Sequence, residues 1–350
     1  MMNSPSSSET DSAPLVTLAL FTYNQSQFVE QAARSALAQT YQPLQVILSD
    51  DCSSDDTFER LRGIAGAYQG PHELVVRRNE SNLGLCGHVQ AVADLAGGRV
   101  LVVAAGDDYS EPDRVSKLVD RYRIDPKARL VYSSVRTFHT DEDLLSSNES
   151  ADSDGKLDVI TMARYVAGEW FPVAGASASY DIRLFREFAP IPPDAIYEDS
   201  ILLFRALLSG DMVRLPEPLV SYRNHDGQVT NTHTADVRVN LVKRRRLAEA
   251  AVRVAQQQLD DLLTARNIGY VQSIYRTRVY LLRRYWFYAL QEMAYRWPWP
   301  LGIPLIPLLF ILRGRARASL GMRELASVVL PASIVLRILN WRTTQREIAR

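Results

Sequence analysis

Cysteine is nearly absent from this sequence. Only Cys52 and Cys86 occur in 350 residues, with no close-spaced pair. That excludes a disulfide framework and thiolate metal cages and fits a reducing compartment. The chain also lacks a phosphate-cradling GxxxxGK[ST] loop, a GxSxG nucleophile elbow and an HExxH zinc helix. P-loop phosphoryl transfer, α/β-hydrolase chemistry and zinc proteolysis therefore have no support. There is no internal repeat, so solenoids and propellers are out. The first residues, MMNSPSSSETDSAP, have neither a basic start nor an apolar centre. They read as a disordered leader over 1–14 rather than a signal peptide. Long unbroken apolar runs are missing too. The stretch 297–312, WPWPLGIPLIPLLFIL, is 16 residues interrupted by four prolines, too short and broken for a confident span.

What is there in abundance is charge, unevenly placed. The chain balances at 40 basic against 40 acidic residues, but residues 1–237 hold 20 Lys and Arg against 34 Asp and Glu, and 238–350 hold 20 against 6. The two parts thus carry about −14 and +14. An acidic body with a basic, aromatic tail implies that the tail faces an anionic surface. Nucleic acid is a poor fit, because the body would repel a phosphate backbone. With 47% hydrophobic residues, there is room for one large domain, 15–237, and an appendage, 238–350.

The body alternates strands and helices. Leu15 to Phe21 is an apolar run that reads as a buried strand, and Thr22-Tyr23-Asn24 follows as a loop. A helix is expected over Ser26 to Thr40, with Ser26 as its cap. Leu44 to Leu48 is a second strand, running into Ser49-Asp50-Asp51-Cys52-Ser53-Ser54-Asp55-Asp56-Thr57 before a helix that opens near Thr57. A third strand at Leu74 to Val76 leads to a glycine-bearing loop, Asn79 to Gly87, and a helix from Gly87 to Leu95. This is the βαβ pattern of a mainly parallel sheet. Val100 to Val103 is the next strand, stopping at Ala105-Gly106 to deliver Asp107 and Asp108 side by side. Adjacent acids after small residues, at the carboxyl end of a buried strand, suit a divalent cation that also holds a phosphate. They are equally ordinary turn residues. A helix over Asp113 to Arg123, a strand at Leu130 to Val135 and a strand at Leu219 to Tyr222 complete the pattern. Thr140 to Lys156 is acidic and serine-rich, a mobile loop that either covers an acceptor cleft or is a plain insertion.

The series LFTYN (20–24), SDDCSSDDT (49–57), NLGL (82–85) and AGDDYSEPDR (105–114) resembles the nucleotide-binding half of glycosyltransferase family 2, which has the GT-A fold. IYEDSILLFRALLSG (196–210) and YRNH (222–225) are similar to the acceptor-side motifs of that family. The resemblance implies a Rossmann-like α/β sheet flanked by helices, a nucleotide-sugar donor and a divalent metal, Mn or Mg. It puts Thr22, Tyr23, Asn24, Asp51, Asn82 and Gly84 on the donor, with Tyr23 stacked on the base and Asp51 accepting a ring N–H. Asp108 is then the direct metal ligand, and Asp107 holds the sugar or the second coordination sphere. Asp199, with Glu198 in support, is the general base for an inverting displacement. In that context Arg223 pairs with phosphate and His225 reaches the metal or diphosphate. One departure stands out: many members carry an acid where this chain has Ala105.

Trp170 to Tyr180, small residues with an aromatic rim, fit either a sugar-acceptor surface or packing against the sheet. In the tail, Asn240 to Leu263 reads as a basic, then polar helix. Tyr270 to Arg296 reads as an amphipathic helix whose apolar arc (Val271, Ile274, Val279, Leu282, Trp286, Leu290, Met293) opposes Arg276, Arg283 and Arg284. That is the description of an interfacial membrane helix, with a helical dimerisation cap as the rival; Val328 to Trp341 repeats the theme. The expectation is a cytoplasmic enzyme, peripheral on the inner face of the plasma membrane, that transfers a hexose or deoxyhexose to a lipid-linked glycan of O-antigen or capsule type. A non-catalytic scaffold and a nucleotidyltransferase are the alternatives. A processive synthase is disfavoured by the absence of a QxxRW motif and of clean spans.

Overall fold

The computed structural model describes residues 13–139, 155–169, 171, 173–225 and 237–270, with side chains from 246 onward in the last stretch, and scattered helical residues between 277 and 289. Most of the loop expected at 140–156, Trp170 and Pro172 of the aromatic rim, and the apolar segments 297–312 and 328–341 lie outside the described residues.

Strands β1 (Val16–Thr22), β2 (Leu44–Asp50), β3 (Glu73–Arg78) and β4 (Val100–Ala105) pair in parallel in the order β3-β2-β1-β4. Helices α1 (Val29–Leu37), α2 (Thr57–Ala67) and α3 (Gly84–Ala93) connect them. Beyond β4 the sheet turns mixed. The short strand β5 (Tyr109–Ser110), helix α4 (Arg114–Ile124), β6 (Ala128–Phe138), β7 (Asp158–Ile160), helix α5 (Met162–Val166), β8 (Ala178–Asp181), helix α6 (Arg183–Arg186), helix α7 (Glu198–Ser209) and β9 (Asp211–Arg223) follow in the chain. The sheet continues β4-β8-β6-β9-β5, with β8 antiparallel to both β4 and β6 and with β7 also on β9. Along β1, Leu18 and Leu20 face one core, with α1, α2 and α4, while Ala19 and Phe21 face the other, with α3 and α7. This period of two is why both faces of the strand are apolar and the strand is covered on both sides.

Register fixes where the loops emerge. Thr22 lies opposite Asp50, and Phe21 lies opposite Ala105, so three strands end level. The ladder runs on beyond them: Asp51 N–H donates to Thr22 O at 2.9 Å and Gly106 N–H to Phe21 O at 2.9 Å. Phe138 pairs with Arg223 at the end of β6 and β9, and Tyr109 pairs with Ser221, which brings Arg223 to His225 beside Asp107 and Asp108.

Two expectations need correction. Helix α1 starts at Val29 and not at Ser26, because Gln25 O closes the first turn on Phe28 N and Val29 N while Ser26 N–H donates to Asp55. Helix α3 starts at Gly84, three residues before the expected Gly87. In the tail, Leu282 of the apolar arc is 37% exposed, Leu281 is fully buried and Arg284 of the opposing arc is partly buried against tyrosines; Val271, Ile274, Val279, Trp286, Leu290, Met293, Arg276 and Arg283 lie outside the described residues. Helix α8 spans Val237–Asn267. Its Ala250, Val254, Gln258, Asp261 and Ala265 are buried on the domain, so this part of the tail packs on α7. Among the described residues, no helix is long and apolar enough to cross a membrane.

Candidate active site

The loop after β1 presents Tyr23, 48% exposed, and Asn24, which adopts φ 51°. Asn24 Oδ1 accepts Ser54 N–H at 2.8 Å, tying this loop to the one after β2. In that second loop Cys52 adopts φ 60°. Two non-glycine residues in the left-handed region, side by side in space, mark a backbone held against its preference. What holds it is Asp50. Its fully buried carboxylate accepts Ser53 N–H at 2.9 Å and the Ser53 hydroxyl, and pairs with Arg78 at 3.4 Å. Thr22, also buried, donates its hydroxyl to Ser49 O at 3.1 Å. Thr22 and Asp50 thus shape the loops from beneath, and Tyr23 stands above them.

Asp51 is buried at the same edge. Its Oδ1 accepts Asn79 Nδ2–H at 2.6 Å and Leu83 N–H at 2.8 Å. Asn82 Oδ1 accepts Gly84 N–H at 2.9 Å, closing a turn that needs the positive φ of 70° at Gly84. Below lies a polar chain that sequence reasoning missed. Arg77 Nη1 donates to Ser49 Oγ at 2.8 Å, Arg77 Nη2 donates to Asn79 Oδ1, and Ser49 Oγ meets His88 Nε2 at 2.6 Å. Burial pushes His88 down to about 4, which favours a neutral imidazole beside the Ser49 hydroxyl. The available signal was Arg77-Arg78-Asn79, polar residues at the carboxyl end of a strand.

After β4, Gly106 has no room for a Cβ, which would sit 2.7 Å from Thr22 Cγ2; only glycine lets β4 turn here. Asp107 is the more exposed of the acid pair, and its Oδ2 lies 3.0 Å from His225 Nε2. Asp108 is buried. Its Oδ1 accepts Arg223 N–H at 3.0 Å, and its Oδ2 finds no hydrogen-bond partner. Burial and the neighbouring Asp107 charge raise its pKa to about 8. Arg223 is 5% exposed, its guanidinium between the Phe28 and Phe138 rings at 4.7 and 4.4 Å and its Nε donating to Asp107 O at 3.1 Å. That geometry braces the Asp107 loop.

Fully buried Arg114 sits beside Asp108. It donates to Ser110 Oγ, Val103 O and Ala176 O, linking the acid pair to the turn Gly175–Ser177. A Cβ on Gly175 would lie 3.1 Å from Glu198 Oε1. Through this turn the metal-type acids and the Glu198-Asp199 pair are neighbours. Glu198 is raised to about 8, by burial first and by the charge of Asp199 second. Asp199 is raised by burial, opposed by hydrogen bonds from Ser200, and its Oδ1 is buried without a partner among the described residues.

Among the described residues no three His, Cys, Asp or Glu side chains form a metal cage. The donor set is instead two groups, Asp107 and His225, with the bare Oδ2 of Asp108 close by. Carboxylate and imidazole with room for substrate oxygens fit a hard divalent ion completed by phosphate.

Residues 17–176 match the family model described as Glycosyl transferase family 2. That stretch, just under half of the chain, is similar to family 2 glycosyltransferases. Asp199, Arg223 and His225 lie past the matched segment. An uncharacterised protein of Mycobacterium tuberculosis is 26% identical over 214 residues, which is 60% of this chain and 59% of that protein. The chain thus spans well under two thirds of that relative's length. The chondroitin synthase of Escherichia coli is 30% identical over 134 residues, 38% of this chain and 19% of the synthase. Among solved structures, S. aureus TarS 1–349 in complex with UDP-GlcNAc superposes with a TM-score of 0.53 at 13% identity, covering 89% of this chain and 86% of that one. That likeness is one of fold, the GT-A arrangement of a central sheet flanked by helices.

Proposed function

We propose that this chain is an inverting glycosyltransferase. It moves a hexosyl or deoxyhexosyl unit from a nucleoside-diphosphate donor, with UDP or dTDP favoured, to a hydroxyl of a growing lipid-linked glycan in surface polysaccharide assembly. The observation that carries the reading is the buried Oδ1 of Asp199 at the N-terminus of α7, which has no hydrogen-bond partner among the described residues and is linked to the acid pair through Arg114 and the turn Gly175–Ser177. A buried acceptor without a donor is costly, and an acceptor-sugar hydroxyl supplies the missing proton.

On this reading Tyr23 stacks on the base, and the second oxygen of Asp51 accepts the ring N3–H that uracil and thymine share. The donor in the TarS structure is a UDP-sugar, and the proposal extends that donor class to this chain. Asn24, Asn82 and Gly84 let backbone approach the nucleotide closely. Asp107 and His225, with Asp108, would hold Mn or Mg, which when bound neutralises charge on the departing diphosphate. Arg223 keeps Asp107 in place from below. Burial raises both carboxyls of the pair, and hydrogen bonds from Ser200 favour the charged form of Asp199. Asp199 then takes the acceptor proton as the acceptor oxygen attacks the anomeric carbon opposite the diphosphate. The basic tail, 238–350, is proposed to hold the enzyme on the inner face of the plasma membrane. Asp199→Asn tests the reading: transfer of labelled sugar falls at least 100-fold while nucleotide binding stays within twofold, and equal loss of both overturns the assignment of the base.

A further inference from the structure

The buried or partly buried arginines of this domain have acids beside them. Arg205 pairs with Asp261 at 2.8 Å, Arg183 pairs with Asp181, Arg164 pairs with Asp158, and Arg114 lies beside Asp108. Arg284 differs. It is partly buried, no carboxylate pairs with it among the described residues, and its neighbours are phenols. Its Nη1 donates to Tyr165 Oη, and its guanidinium carbon stands 5.8 Å from the ring centres of Tyr165, Tyr280 and Tyr288. Tyr280, Arg284 and Tyr288 are four residues apart on helical positions, so they share one face. That face packs on Tyr165, whose ring is 5.3 Å from Tyr280 and 5.8 Å from Phe204 of α7.

Ring faces attract a guanidinium, but neutral phenols leave its formal charge uncancelled. An arginine fork framed by hydroxyl donors matches a phosphate in two-point hydrogen bonding. The location specifies which phosphate. Phe204 lies on α7, five residues after Asp199, and the Tyr165 ring stands 5.8 Å from it, so the tyrosine box lies against the helix that carries the proposed base. We propose that Arg284, with Tyr165, Tyr280 and Tyr288, binds the phosphate through which the acceptor glycan is joined to its lipid. This rests on the reading of Asp199 as the acceptor-side base. It gives the tail a role in acceptor selection as well as in membrane attachment.

Geranyl phosphate is a soluble probe carrying the lipid and the phosphate without a sugar. In calorimetric titration of the full-length protein with UDP present, it binds the wild type, geraniol does not, and Arg284→Gln weakens binding at least tenfold while UDP affinity is unchanged. Unchanged geranyl phosphate affinity in Arg284→Gln overturns the proposal. So does a loss confined to phosphatidylglycerol vesicles, which would make the box a membrane headgroup site. A second measurement needs no variant: geranyl phosphate protects Arg284 of the wild type from phenylglyoxal, read by peptide mass spectrometry, and equal modification with and without it is contrary. Because neither readout uses sugar transfer, failure here is distinguishable from failure of the glycosyltransferase reading.

Discussion

Glu198 and Asp199 occupy consecutive positions at the start of α7, and their neighbourhood predicts a pH signature. A carboxyl raised in the folded state stabilises the fold below the ordinary carboxylate range, and that contribution is lost as pH climbs through the folded value, here about 8 for Glu198. Glu198→Gln should therefore raise the melting temperature at pH 8.5 and leave it nearly unchanged at pH 4.5; a uniform shift at both would contradict the buried, raised carboxyl. The same substitution should leave the acid limb of the pH–rate profile nearly unmoved, because a Glu198 raised by burial is already uncharged where that limb titrates. Gly175→Ala tests the contact from the other side. Its methyl would stand 3.1 Å from Glu198 Oε1, so kcat should drop roughly tenfold or more with nucleotide binding intact, in line with the sensitivity of positioned groups. The placement of Asp51, Asp107 and Asp108 at strand ends and of Asp199 at a helix start was legible in the strand and helix patterns, but His88, Arg77, Asn79 and Arg114 act through long-range hydrogen bonds that no local pattern encodes.

At the scale of elements, the decisive contact joins α7 to α8. Arg205 and Asp261 are both buried and 2.8 Å apart; Gln257 Nε2 also donates to Asp261, and Gln258 Nε2 donates to Ser200 O at 2.9 Å. Removing one partner strands the other charge. Asp261→Ala should cost about 3–5 kcal/mol in urea unfolding, and Arg205→Met with Asp261→Leu should recover most of it. A loss under about 1 kcal/mol in the single variant would show that the pair is solvated. The parallel strands were legible because each is an unbroken apolar run ending in polar loop residues. Strand β8 was not: four residues, ASYD, antiparallel between β4 and β6, carry too short a pattern to be recognised before pairing.

For the whole molecule, the charge split of about −14 and +14 between 1–237 and 238–350 is the feature that composition alone conceals. If the tail holds the enzyme on an anionic membrane, the full-length protein should sediment with phosphatidylglycerol vesicles at low salt and release at about 0.5 M salt, where screening shortens to a few ångströms. Equal sedimentation with neutral phosphatidylcholine vesicles would point to apolar insertion instead. The central claim, however, is the donor site at the carboxyl edge of β1, β2 and β4. Calorimetric titration with UDP, dTDP and GDP, with and without Mn or Mg, tests it most directly. The account predicts metal-dependent binding of UDP or dTDP, weakened at least tenfold by Asp107→Ala and by Asp108→Ala. Absence of binding by any nucleoside diphosphate under every metal condition would contradict it and leave the fold as a scaffold without a donor.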